Sequence, residues 1–265
     1  MSLELPVSLA LGLTQRLLGV GLLIQGWEGL VTRQAYGRAG AWVWAGPAGE
    51  GVWHRAVGEE GVGLVFLVRI LASGWLLLPG AQPVSPGTAV AQAVLLGTSV
   101  LLTLRTRGPL CGGSDSMFFQ VQLGLGVASL GMFHPALPVA GLAWIAAQSV
   151  LSYFLSGVGK LRHVRWRNGS ALQNLLSSDG PYIVHAEARR LASSRRACAV
   201  LGWGMMLFQV IFPLVLVLPG EARWVLLALG FLFHLGNAVT LGLNRFLWAW
   251  LPTYPALLHF GARPG

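Results

Sequence analysis

The chain has 265 residues, of which 54% are hydrophobic and only 10% are charged, and its formal net charge is +9. An average soluble domain has about 25% charged residues, so this composition excludes an ordinary soluble globular domain, which would lack a polar surface. The positive charge alone would fit nucleic acid, but basic residues on a membrane protein more often set its orientation, and we expect no nucleic-acid partner.

Apolar stretches long enough to cross a bilayer, which takes about 20 helical residues, occur along the whole chain. Seven of them predict membrane-spanning helices: Leu5–Val31, Gly61–Leu78, Thr88–Leu104, Met117–Phe133, Pro138–Val158, Ala197–Leu218 and Trp224–Leu243. An eighth, Phe246–Phe260, contains two prolines and predicts either a kinked span or an interfacial segment. The sequence thus predicts an all-α fold, a polytopic bundle of seven or eight transmembrane helices forming one domain over residues 1–265, without a sizeable soluble domain.

The basic residues are divided unequally between the two ends of these spans. If the spans alternate in direction, 14 of the 18 Lys and Arg residues lie on one side and two, Arg223 and Arg263, lie on the other. By the positive-inside rule the first side is cytoplasmic and the N-terminus lies outside, in what we expect to be a bacterial cytoplasmic membrane whose lipids are partners. The most basic connection, residues 161–196, predicts two short amphipathic helices on the cytoplasmic face, with capping-box spacing at Ser170 and Gln173.

Charges inside a bilayer are costly and are therefore candidates for function. Three of them lie within the predicted spans: Arg16, Glu28 and Arg69. Alternatively, Glu28 pairs with an arginine to hold two helices together, or each charge lies near an interface. Helical spacing predicts that His234, Asn237 and Asn244 share one face of the seventh span. Interhelical hydrogen bonding explains these three side chains as well as ligand binding does.

The fifth span carries a polar stripe, because Ser149, Tyr153, Ser156 and Lys160 recur at intervals of four, three and four residues. Lys160 is the only lysine in the chain, beside 17 arginines. Arginine keeps its proton in proteins, whereas a desolvated lysine can release it and act as a base. The alternative is that Lys160 anchors the helix end by extending its amine to the headgroups.

A stretch of this span, Tyr153–Leu161 (YFLSGVGKL), resembles the signature of the vitamin K-dependent gamma-carboxylases, which belong to the broader horizontally transferred transmembrane (HTTM) domain family. Three positions that follow it also match the signature: Trp166, Gly169 and Ala171. Gly113–Met117 and Phe233–Gly236 agree more loosely with the pattern of that family.

The resemblance implies an enzyme in which Lys160 deprotonates vitamin K hydroquinone or menaquinol, so that oxygen can attack it and an epoxidation or carboxylation reaction follows. Gly159 stands where the carboxylases have another lysine. We expect the quinol to lie between the fifth and seventh spans, beside Tyr153 and Ser156. Five further residues are expected to position it or to stabilise negative charge: His234, Asn237, Asp115, Arg16 and Arg69.

Two other functions stay open. A non-catalytic membrane partner for the maturation or export of a secreted peptide, similar to HTTM proteins of the sporulation-delaying protein B type, would dock its partner on residues 161–196 and would not need Lys160. A small-solute transporter is less favoured, because no inverted repeat is evident. The two cysteines and six histidines are scattered without ligand spacing, so the sequence predicts no metal site.

Overall fold

The computed structural model describes residues 5–37, 59–106, 112–177 and 186–261, and every regular element in these ranges is helical, which confirms the all-α class. The α-helices in chain order are α1 (Val7–Val31), α2 (Glu59–Leu77), α3 (Pro86–Thr106), α4 (Gly113–Ser129), α5 (Leu137–Arg162), α6 (Val164–Arg167), α7 (Ser170–Ser177), α8 (Ala186–Ala192), α9 (Arg195–Ile211), α10 (Gly220–Leu241), α11 (Asn244–Trp250) and α12 (Tyr254–His259). Short 3₁₀ helices cover Arg33–Tyr36, Leu130–Met132, Phe212–Leu216 and Leu251–Thr253.

Five segments in the described ranges are long and apolar enough to cross a membrane: Val7–Val31, Pro86–Thr106, Leu137–Arg162, Arg195–Leu216 and Gly220–Leu241. A shorter apolar helix covers Gly61–Leu77. Large apolar side chains are exposed along these helices, as Leu71 (66%) and Val200 (75%) illustrate. Apolar helices of this length, with apolar side chains on their outer surface, indicate a membrane protein.

The chain divides into two compact units, an N-terminal unit of residues 6–145 and a C-terminal unit of residues 1–5 and 146–265. In the N-terminal unit, α2 packs against both α1 and α3, and α4 packs against α3 and α1. The prediction of a single domain over residues 1–265 stays a prediction.

Local sequence explains how helices of the N-terminal unit begin and how closely they pack. Helix α3 begins at Pro86, and the preceding Ser85 caps it, because its Oγ accepts a hydrogen bond from the Thr88 amide at 3.2 Å. Helices α4 and α5 meet at Gly124 and Gly141. A Cβ atom added to Gly124 would lie 2.8 Å from the Gly141 carbonyl oxygen, so the contact is too close for any side chain.

In the C-terminal unit the eighth apolar stretch is broken rather than continuous. Helices α11 and α12 have seven and six residues and are separated by the 3₁₀ turn that contains Pro252, with Pro255 in the first turn of α12. The turn is buried and is tied to α5, since the hydroxyls of Ser149 and Thr253 lie 2.9 Å apart.

The connection 161–196 contains the short helices α6, α7 and α8, and its residues 178–185 lie outside the described ranges. Apolar side chains of α7 and α8 form one buried cluster with the start of α9 and the end of α10: Leu172, Leu176, Ala188, Ala192, Cys198 and Leu241. The cytoplasmic location of this segment stays a prediction.

The predicted capping box at the start of α7 is wrong. The Asn168 side chain accepts the hydrogen bond of the Ser170 amide at 3.0 Å, and the Gln173 amide group instead donates to the Ala192 carbonyl at 2.8 Å. Gly169 has φ +78°, and a Cβ atom there would lie 2.5 Å from the Ala199 amide nitrogen. The turn between α6 and α7 therefore requires glycine.

Candidate functional site

The C-terminal half of α5 places the Lys160 amine beside a neighbouring turn and a second helix. Its Nζ donates hydrogen bonds to the hydroxyl of Ser156 and to the Ser156 carbonyl, the latter at 3.4 Å. It also donates to Gln209 Oε1 of α9 at 3.2 Å. Gln209 is only 2% exposed, so the amine is held against the interior of the C-terminal unit.

The direction of the Lys160 side chain does not fit a headgroup anchor. Side chains of a helix lean towards its N-terminus, and the Lys160 side chain follows this direction back to Ser156, one turn earlier. It does so although Lys160 lies only two residues before the end of α5, close to where a headgroup anchor would extend outwards. A lysine that extends to the headgroups from this position would point the other way. Its hydrogen-bond acceptors in the described part of the chain are all neutral, and the Trp166 ring, whose centroid lies 5.5 Å from Nζ, is the other group there that favours the ammonium form.

Two turns earlier on the same helix, Tyr153 forms a buried pair with His234 of α10. The Tyr153 hydroxyl and His234 Nε2 lie 2.6 Å apart, and each residue is only 2% exposed. Either atom can be the donor, because the tautomer of the imidazole is not fixed by geometry. The pair joins α5 to α10 by a hydrogen bond shielded from solvent.

Aromatic rings surround this pair. Tyr153 stacks on Phe212 with ring centroids 3.8 Å apart, and Phe208 meets its ring edge-on at 5.7 Å. The His234 ring stacks on Trp250 at 4.7 Å. Polar atoms within such an apolar surround are expensive to bury, so their hydrogen-bonding capacity is normally used.

His234 Nδ1 makes no hydrogen bond to any described residue, whereas the Tyr254 hydroxyl lies beside that of Tyr153 and interacts with it. A Cβ atom added to Gly230 would lie 2.6 Å from the Tyr254 hydroxyl and 3.1 Å from that of Tyr153, so both hydroxyls face the same glycine of α10. The C-terminal unit thus has a cluster of convergent polar atoms among buried, stacked rings.

Comparisons with protein-family models, with curated proteins and with solved structures found no match.

Asn237 shares helix α10 with His234 at the predicted spacing of three residues, whereas Asn244 does not. Helix α10 ends at Leu241, where Gly242 adopts φ 67°, and Asn244 begins the separate helix α11. The prediction for Asn244 is therefore wrong, since a left-handed residue lies between the two helices. Asn237 is half-buried, and its backbone carbonyl accepts hydrogen bonds from the amides that end α10.

Arg69 and Asp115 lie in the N-terminal unit, where both belong to one buried polar network. The Arg69 guanidinium, 1% exposed, donates to Thr98 and Ser99 of α3, both at 2.9 Å, and to the Leu95 carbonyl at 3.2 Å. It also donates to Gln25 Oε1 of α1 at 2.6 Å.

The network continues from α1 to α4. The Gln25 amide donates to Asp115 Oδ1 at 2.8 Å, which links the buried arginine to a carboxylate through one side chain. The Ser99 hydroxyl in turn donates to Gln122 Oε1 of α4 at 3.1 Å. These contacts join α1, α2, α3 and α4, so the position of Arg69 is explained by helix packing.

Arg16, by contrast, is exposed on α1, and Glu28 is half-buried in its last turns. The structure therefore groups the predicted site residues into two sets, one in each unit. Tyr153, Ser156, Lys160 and His234 make contacts within the C-terminal unit, and Arg69 and Asp115 make contacts within the N-terminal unit. No metal-binding group of three or more His, Cys, Asp or Glu residues occurs in the described ranges, which do not include Cys111.

Several partners in both sets were not anticipated from the sequence: Gln25, Gln122, Gln209 and Tyr254. The first three are amide side chains inside apolar stretches. Such residues are rare in lipid and usually face protein, so their presence was a usable signal. The sequence alone does not predict the hydrogen-bond partner of each glutamine, because that partner lies on a different helix.

Proposed function

We propose that the C-terminal unit binds a lipid-soluble, hydroquinone-type compound and that Lys160 acts there as a base. The observation that carries this proposal is the Lys160 amine, which turns into the unit and is held by the neutral groups of Ser156 and Gln209. In its neutral form, an amine placed in this way, with no carboxylate among its partners in the described ranges, can accept a proton from a hydroxyl group at its lone pair.

The aromatic cluster on the same side of α5 fits such a ring compound. Phe212 and Trp250 hold Tyr153 and His234 in place by stacking on their rings, and His234 Nδ1 offers a hydrogen-bonding position to the compound. Tyr153 would orient His234 through its 2.6 Å hydrogen bond. Vitamin K hydroquinone or menaquinol, which the resemblance to the gamma-carboxylases implies, would supply an oxidisable ring with acidic hydroxyls.

Within this proposal the chain's own residues do three things. Lys160 accepts a proton at Nζ, Ser156 and Gln209 hold the amine in place, and the rings keep water away from the cluster. The overall chemistry would be of the epoxidation or carboxylation type, in an HTTM-like protein with seven or eight spans and its N-terminus outside. The unequal distribution of arginines supports that orientation.

The test is turnover by the purified protein in nanodiscs, measured as oxygen-dependent epoxidation of reduced vitamin K or menaquinol. We expect Lys160→Met and Lys160→Arg each to lose about 100-fold or more in turnover, the usual contribution of a general base. Arg162→Met is the matched control, because it removes an exposed cation two residues away and should keep wild-type activity.

Equal activity in the wild type and both Lys160 variants would contradict the role of Lys160. The absence of turnover in folded wild-type protein would contradict the enzymatic proposal itself and would favour the non-catalytic role in maturation or export of a secreted peptide. Thermal stability of each variant, measured in the same nanodiscs, separates lost chemistry from lost structure.

A further inference from the structure

Six exposed arginines lie on the short helices α6 and α8 and in the first turn of α9 of the C-terminal unit, and together they are called the basic patch. It consists of Arg165, Arg167, Arg189, Arg190, Arg195 and Arg196. The sequence of the connection 161–196 contains only two acidic residues, Asp179 and Glu187. The patch therefore carries a clear excess of positive charge.

Backbone and side-chain contacts bring the two ends of this patch together. Arg195 Nε, in the first turn of α9, donates to the Asn168 carbonyl at 3.1 Å. Trp203 Nε1, two turns later on α9, donates to the Arg167 carbonyl, also at 3.1 Å. The close approach at Gly169 locks the turn after α6 against the same helix. The end of α6 and the first turns of α9 consequently lie side by side, even though Asn168 and Arg195 are 27 positions apart.

The patch also has a defined position relative to the apolar helices. One candidate span ends at Arg162, immediately before the patch, and the next begins at Arg195 within it. Apolar side chains lie among the arginines, with Val164 61% exposed and Trp203 40% exposed. Alternation of arginine with tryptophan and aliphatic residues at the end of a span is the composition of a protein surface at the headgroup level.

We propose that the basic patch is a binding site for the phosphate groups of anionic phospholipids. Guanidinium groups bind phosphate oxygens through paired, charge-assisted hydrogen bonds, and six of them at the boundary of two spans meet the phosphates of the adjoining leaflet. An acidic protein would have to reach the same groups at headgroup depth, so the position of the patch favours lipid over a protein partner. This site is independent of the chemistry proposed for Lys160.

The experiment compares the binding of phosphatidylglycerol and phosphatidylcholine to purified, detergent-solubilised protein by native mass spectrometry. The test variant is Arg165→Gln/Arg196→Gln, because both side chains are exposed and their guanidinium groups make no hydrogen bond to other described residues. Each surface arginine contributes roughly fivefold to binding of an anionic lipid. We expect the double variant to bind phosphatidylglycerol about 25-fold more weakly and phosphatidylcholine as before.

Two control variants make the result specific. Arg165→Lys/Arg196→Lys keeps both charges but not the paired hydrogen bonds, so it should lose less of the preference for phosphatidylglycerol than the Gln variant loses. Arg16→Gln/Arg33→Gln removes two exposed arginines outside the patch and should leave the preference unchanged. The circular dichroism spectrum of each variant confirms that it is folded.

Equal binding of the two lipids by the wild type would overturn the proposal, as would an unchanged preference in the Gln variant. Displacement of phosphatidylglycerol by inorganic phosphate alone would show a site for a free anion instead of a lipid. Without a lipid preference, an acidic protein partner would become the better explanation of the patch.

Discussion

The buried arginine of the N-terminal unit permits a sharp test of how this unit is held together. We predict that Arg69→Met destabilises the protein strongly. The substitution removes at least the four hydrogen bonds described above, and it leaves the Gln25, Thr98 and Ser99 side chains without this cationic donor in an interior where Arg69 is 1% exposed.

The magnitude follows from the number of lost hydrogen bonds. Interhelical hydrogen bonds in membrane proteins contribute about 0.6 kcal/mol each on average, so four give about 2.4 kcal/mol. Hydrogen bonds to a charged group contribute more, about 1.5 to 3 kcal/mol each, which increases the expected loss in the free energy of unfolding. The apolar Met side chain fills part of the space that Arg69 occupied, which reduces this loss. We therefore expect a loss of about 2 to 4 kcal/mol in the free energy of unfolding.

The assay is reversible unfolding in mixed micelles, with the free energy of unfolding obtained from the denaturing-detergent titration. Arg16→Met is the matched control, since Arg16 is also an arginine within an apolar helix but is exposed. Its effect should stay within about 0.5 kcal/mol, as for surface substitutions generally. Equal effects of the two substitutions, or no effect of Arg69→Met, would refute the conclusion that the network stabilises the unit.

Two further predictions concern close contacts at glycine. Gly141→Ala should lower the free energy of unfolding by about 1 to 3 kcal/mol, because the new Cβ would lie 2.8 Å from the Ala128 Cβ. In the control variant Gly97→Ala, on α3, the new Cβ meets nothing within 4 Å, so the substitution should be neutral or stabilising. Thermal unfolding of the two variants checks this, and comparable melting temperatures would contradict it. Gly169→Ala should lower the melting temperature because of its positive φ and the nearby α9 backbone, while Gly159→Ala, which also meets nothing within 4 Å, should not. A Gly169→Ala protein as stable as the Gly159→Ala protein would contradict the second prediction.

The sequence was sufficient to predict the helical class and which side chains share a face within one helix. Ser156 and Lys160 are four residues apart, so helical geometry alone brings them together. The contact with Gln209 could not be predicted, because Lys160 and Gln209 lie 49 positions apart on different helices. Which residues of two helices meet depends on how the helices pack, and local sequence does not determine that packing. The same limit applies to Gln25, which bonds to a residue 90 positions away.

Arg16 and Arg69 show why burial was difficult to predict. Both lie in helices that are apolar on every side, so neither helix has a polar face to mark its outward surface. In water the solvent-facing side of a helix is polar, but in lipid both the core and the outside favour apolar residues. The periodicity that separates inside from outside in soluble proteins is therefore weak here, and only the structure distinguished the buried arginine from the exposed one.

Lys160 is the only lysine in the chain, which makes it a spectroscopic label that the protein already contains. Reductive methylation with ¹³C-formaldehyde would introduce isotope at one side chain and at the N-terminal amine alone. The two resonances differ in chemical shift, so a pH titration followed by NMR would report the charge state of this amine directly. The acid–base behaviour of the side chain at the centre of the functional proposal can thus be followed without a single amino-acid substitution.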